Sequence, residues 1–187
     1  METRRVIGIA LMVLLLAACG TVTVNPPDSS GAASSGSSSS GSTTIQWGHQ
    51  TKTSGCAAIG NGKLPDPACT PGDVFNVTKD QVCTSGYSSS VRNVPTSEKD
   101  QVYAEYGIAS HTTGEYEVDH FVSLELGGSN DISNLWPEPA NPTPGFHQKD
   151  TVENYLHSQV CSGAMTLQQA QIAIATNWLN VYNSMPH

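Results

Sequence analysis

An acid and an imidazole stand side by side as Asp119-His120 within EVDHFVSLELGGSNDISNLWP, the run from Glu117 to Pro137. A carboxylate is a hard oxygen ligand suited to Mg²⁺ or a similar ion. An imidazole that is neutral near pH 7 can take a proton from water. One loop later, Asn134 carries an amide that both donates and accepts, which suits a residue that ties a loop down. His147 can supply a nitrogen ligand from across the motif. Neighbours on a strand point to opposite faces, so a twist or bulge at the strand end is expected to bring Asp119 and His120 to one site.

Those residues need elements to hold them. Tyr116, Val118 and Phe121 alternate with polar residues, which predicts a strand ending near the Asp-His pair. Gly127-Gly128 breaks the chain into a loop, and Leu135-Trp136 is the expected second strand, ended by Pro137. Val152, Tyr155, Leu156 and Val160 recur at helical spacing, predicting a helix over Gln148–Cys161 closed by Gly163. Thr166 stands three residues before Gln169, a capping-box pattern, and opens a helix burying Ala170, Ile174, Trp178 and Val181. A shorter helix is predicted from Glu98 to Tyr106, with Ser97 as N-cap and Gly107 as terminator. The order is strand, long loop, strand, loop, helix.

Asp-His, Gly-Gly, Asn-Leu and a later His beside a helix resemble the HNH endonuclease motif, the ββα-metal finger. The resemblance covers about Tyr116 to His157. It implies an α+β fold: a small ββα-metal core with additional helices. It implies a hydrolase, a metal-dependent endonuclease cutting phosphodiester bonds of nucleic acid, with DNA expected ahead of RNA. In that reading Asp119 and His147 are metal ligands, and His120 is the general base. Asn134 fixes the loop that orients His120. The metal is expected to be Mg²⁺, with Mn²⁺ or Zn²⁺ as alternatives, and to stabilise charge building on the phosphate. Arg92 and Lys149 are expected to touch phosphate. Zinc-ribbon Cys-x-x-Cys pairs often flank the motif and are missing here, so disulfides are expected to give that support. Asn134 to His147 is a long, proline-rich interval, and Glu153, Asn154 and His157 are alternatives for the last ligand.

Export sets the surroundings. Arg4 and Arg5 precede the apolar run Val6 to Leu16, too short to span a bilayer, which predicts a signal peptide over residues 1–18. Leu16-Ala17-Ala18-Cys19 resembles the lipobox of bacterial lipoproteins, implying a lipid anchor on Cys19 and a place at the cell-envelope membrane, the outer one in a two-membrane cell. Residues 19–44 are nearly all Ser, Gly, Thr, Ala and Pro. They offer too little apolar surface to offset chain entropy, so a disordered tether of roughly 25–30 Å is expected. Residues 45–187 form the expected nuclease domain.

Within that domain Cys56, Cys69, Cys83 and Cys161 form an even set, which in an exported chain predicts two disulfides. Sequence alone does not choose the pairing. A local clip Cys56–Cys69 and a long-range staple Cys83–Cys161 are expected, and zinc binding is the alternative. The net charge of −8 and the lack of a Lys/Arg-rich run exclude a broad nucleic-acid-binding surface. Contact with nucleic acid must then be local. The competing class is an envelope binding module that kept the scaffold and lost catalysis. No protein partner is evident in the sequence.

Overall fold

The computed structural model describes residues 45–187; the expected signal peptide, the lipid anchor expected on Cys19 and the expected tether fall outside the described residues. Helices α1 (Lys79–Val82), α2 (Tyr87–Val91) and α3 (Thr96–Glu105) come first. Strand β1 (Tyr116–His120) and strand β2 (Leu135–Pro139) follow, then the long helices α4 (Phe146–Ser162) and α5 (Leu167–Ser184). Two single turns of 3₁₀ helix, Leu124–Leu126 and Ile132–Asn134, occupy the loop between the strands. The fold is α+β.

The strands pair antiparallel from Tyr116↔Pro139 to His120↔Leu135. Pairing is regular to the last residue, so no bulge reorients the Asp-His pair. β2 runs past Pro137 to Pro139, further than predicted. Proline lacks an N–H, but β2 is an edge strand and can lose donors on its free side. Asp119 faces Trp136 and Glu117 faces Glu138 across the ladder. Residues directly opposite share a face, so one face of the ribbon is acidic.

A two-stranded ribbon is marginal alone and needs helices on it. Val102 of α3 packs with Val118 and Leu135 on one face. α4 lies against the acidic face through Lys149. The main core joins Val152, Leu156 and Val160 of α4 to Ala170, Ile174 and Trp178 of α5, with Val82, Val122 and Leu126 from the remainder. Val181 is only half-buried and packs at the margin of this core, and α5 is kinked at Asn177. Thr166 and Gln169 form the predicted capping box, and Gly163 closes α4 at φ +84°. α4 begins two residues earlier than predicted, so His147 lies in its first turn. α3 starts at Thr96 after Pro95, so Ser97 is inside the helix instead of capping it.

Both expected disulfides are present: Cys56–Cys69, and Cys83–Cys161 joining the end of α1 to the end of α4. The double glycine has a packing reason. A Cβ on Gly128 would stand 1.7 Å from the Val122 carbonyl oxygen, and Gly127 sits at φ +77° with a Cβ position 2.6 Å from Val77. Side chains are excluded from both positions. Among the described residues, no helix is long and apolar enough to cross a membrane.

Candidate active site

Asn134 is the hub of the inter-strand loop. Its Oδ1 accepts from the Val122 N–H at 2.9 Å, and its Nδ2 donates to the carbonyls of Val122 at 3.0 Å and Ser129 at 2.8 Å. Its own backbone carbonyl accepts from the Phe121 N–H at 2.7 Å. The side chain is fully buried. These bonds fix the chain that leaves β1 directly after His120.

His120 ends β1 and is 2 % exposed. It borders a cleft of about 340 Å³ that Arg92, Val94, Lys99, Tyr103 and Phe146 also line. Its Nε2 lies 3.2 Å from Asn130 Oδ1. Burial disfavours the charged ring and lowers its pKa to about 4, while the nearby Asp119 carboxylate pulls the other way. At neutral pH this imidazole is uncharged and has a lone pair. Arg92 and Lys99 are exposed and line the same cleft.

Asp119 looks the other way. Its Oδ2 accepts from Lys149 Nζ at 2.6 Å. The ammonium also donates to the His120 carbonyl at 2.9 Å and to Glu153 Oε1, and it stands 3.9 Å from Glu138. Lys149 is wholly buried, and burial pulls its pKa down, but the surrounding carboxylates outweigh this and hold it well above the usual lysine range. Its donors are committed inside the molecule. The phosphate contact expected of Lys149 therefore has no exposed group to make it. A helix places residues four apart on one face, so Lys149 and Glu153 meet along α4 and turn their heads into the sheet.

The acids around this ammonium outnumber it. Burial drives the Glu138 carboxyl well above its usual range and Glu153 up to about 8. Desolvation and the charge of Asp119 also raise Glu117 and Asp150. Asp119 itself is held below the usual range, because Lys149 overcomes the cost of its burial. Neither oxygen of Glu138 has a hydrogen-bond partner as a carboxylate; as the neutral acid it can donate to Asp119.

His147 is exposed in the first turn of α4, its ring 4.2 Å from Phe146. Asn154 is exposed on α4, and Glu153 is spent on Lys149. His157 is half-buried instead of fully solvated, with Nε2 3.0 Å from the Val82 carbonyl. His49, His111 and His187 are exposed. Trp136 and Trp178 are core residues with no exposed surface.

Among the described residues, one trio of candidate metal ligands lies within 4.8 Å of one another: Cys83, His157 and Cys161. The two sulfurs are bonded to each other, so neither is a thiolate that could bind zinc. Sequence reasoning missed Asn130, Lys99 and Glu138. Asn130 carried a weak signal, since a Ser-Asn-Asp run after Gly-Gly marks a turn in which an amide can bond the backbone. No family model, curated protein or solved structure matches the chain.

Proposed function

We propose that this protein is a phosphodiester hydrolase, an endonuclease of nucleic acid with His120 as general base. One observation carries the reading: a neutral, buried imidazole borders a cleft whose cationic residues are Arg92 and Lys99. A base must be unprotonated to accept a proton, and burial keeps His120 so across the physiological range. Arg92 presents a planar guanidinium that suits phosphate oxygens. A phosphodiester seated on Arg92 and Lys99 would lie beside His120. The imidazole would then draw a proton from water as the water oxygen bonds to phosphorus and the leaving oxygen departs. Strand, pinned loop, strand and helix occur in the order of the HNH motif, which supports the same reading.

The resemblance to the HNH motif would put a hard divalent ion on Asp119 and His147, but the carboxylates around Asp119 already enclose the Lys149 ammonium, and among the described residues the one converging ligand trio, Cys83, His157 and Cys161, includes neither. When bound, such an ion would supply positive charge against the developing phosphorane and the leaving oxygen. Lys149 takes one oxygen of Asp119 and so orients the carboxylate. The same contact favours a second reading. With Asp119 satisfied by an internal ammonium, the domain would serve as a phosphate-binding module without catalysis.

Cleavage of plasmid DNA, oligonucleotides and RNA with Mg²⁺, Mn²⁺, Zn²⁺ or EDTA tests the proposal. Wild type should cut, and His120→Ala should lose about 10²–10⁴-fold in rate while remaining folded. An undiminished rate in His120→Ala would remove the mechanism. A wild type inert with every metal and substrate, yet retaining phosphate binding, would leave the binding module.

A further inference from the structure

Asn130 lies between the two functional groups of the cleft and touches the frame of both. Its Nδ2 donates to the Val91 carbonyl at 2.8 Å, and its Oδ1 accepts from the Asn93 N–H at 3.1 Å. Val91 and Asn93 are the residues on either side of Arg92. The same Oδ1 faces His120 Nε2 at 3.2 Å. These partners decide the amide's orientation, because a reversed amide would set N–H against N–H and carbonyl against carbonyl.

An amide oxygen only accepts, so the ring nitrogen facing it must carry a hydrogen. A neutral imidazole has one N–H, which leaves the lone pair on Nδ1. Nδ1 has no hydrogen-bond partner among the described residues and is not sealed from water. From this geometry we propose that Asn130 is a positioning residue holding His120 and Arg92 in one frame, with the His120 proton on Nε2 and Nδ1 as the atom that accepts a proton. The inference rests on the hydrolase reading for its purpose and on the hydrogen bonds for its content.

The arrangement has a physical use. Arg92 stands just beyond α2, on a segment whose only backbone hydrogen bond from the residue itself is its N–H to Ser88. Without Asn130 this segment and the ring would move independently. One amide with three bonds ties phosphate contact to proton acceptor, and reacting groups held in register avoid losing orientational freedom at the moment of reaction. Loss of the amide should therefore affect substrate binding and turnover together. A residue that merely supported the fold would leave the tautomer unchanged.

Long-range ¹H–¹⁵N spectra of the full ¹⁵N-labelled chain near pH 7 read the tautomer directly, with His120→Ala identifying the resonances. Wild type should show hydrogen on Nε2 and a bare Nδ1. Asn130→Ala should give mixed tautomers, and in oligonucleotide cleavage it should lower kcat and raise KM, with kcat/KM down ~10–100-fold, as for other partners that orient a functional histidine. Asn130→Asp keeps an acceptor towards Nε2 and Asn93, so it should retain the Nε2 proton and recover much of kcat. A wild-type proton on Nδ1 would overturn the proposal, as would an unchanged tautomer in Asn130→Ala. If Asn130→Ala does not fold, the wild type and Asn130→Asp still decide. A wild type that cleaves nothing but carries the Nε2 proton supports the clamp and counts against the hydrolase reading instead.

Discussion

His120 and Asp119 are neighbours in sequence with opposite environments, and the contrast between them is the chemistry of the site. The imidazole is desolvated, and burial outweighs the pull of Asp119 and the Asn130 amide oxygen, so its pKa falls to about 4. The carboxylate is desolvated beside Lys149, so it stays ionised. An ordinary histidine would be half protonated near pH 6.5. The neutral form is the base, and its fraction grows as pH rises through the pKa. Cleavage by wild type should then hold its rate from neutrality down to about pH 5 and decline as pH approaches 4. A kcat/KM profile that already falls with a midpoint near 6.5 would mean that the ring is hydrated and that its burial does not set its charge. Asp119, His120 and Asn134 were legible from residue type and order. Lys149 was legible only as a cation, because its burial depends on carboxylates 30 and 11 residues upstream meeting its side chain.

At the scale of elements, the sequence was most readable where physics is local. Thr166 and Gln169 cap a helix through contacts three residues apart, Gly163 ends another, and the even cysteine count required pairing. The ribbon's edges were less readable: nothing local says that β2 passes through Pro137, since tolerance for a lost donor depends on which side of the strand is free. The Cys83–Cys161 bridge spans 78 residues and ties the first short helices to α4, on which Lys149 and His147 stand. α1 and α2 are four and five residues long, too short to be stable unaided. Their position, and with it that of Arg92, depends on this bridge. Replacing Cys83 and Cys161 together by Ser should cost up to about 4.5 kcal/mol of stability, the loop-closure entropy returned to the unfolded chain. Thermal denaturation with and without reductant measures this. An unchanged melting temperature would show that the staple carries no stability.

The whole molecule is acidic, with a net charge of −8, and the nucleic-acid substrate we propose for it is a polyanion. Its ribbon shows one acidic face, toward α4, and one face toward the cleft of Arg92 and Lys99, with Glu117 of the acidic face reaching that cleft as well. The acids facing α4 are largely internal and partly neutralised, by Lys149 or by the protons that burial holds on Glu138 and Glu153. What a nucleic acid would meet at the cleft is therefore two cations, Arg92 and Lys99, with the exposed Glu117 carboxylate beside them, against a repelling background. Counterion release scales with the number of phosphates neutralised, so two contacts predict a slope of log K against log[salt] of about −1.8 on duplex DNA, or about −1.4 on single strands. Proteins that rely on a broad basic surface show far steeper slopes. Binding of a short oligonucleotide to His120→Ala, measured across a salt series, isolates the electrostatic contribution from cleavage. Arg92→Gln should flatten the slope by about one phosphate's worth, roughly 0.9 on duplex. A slope several times steeper in the parent variant would reveal a basic surface beyond this cleft. An Arg92→Gln slope equal to the parent's would place the phosphate elsewhere on the molecule.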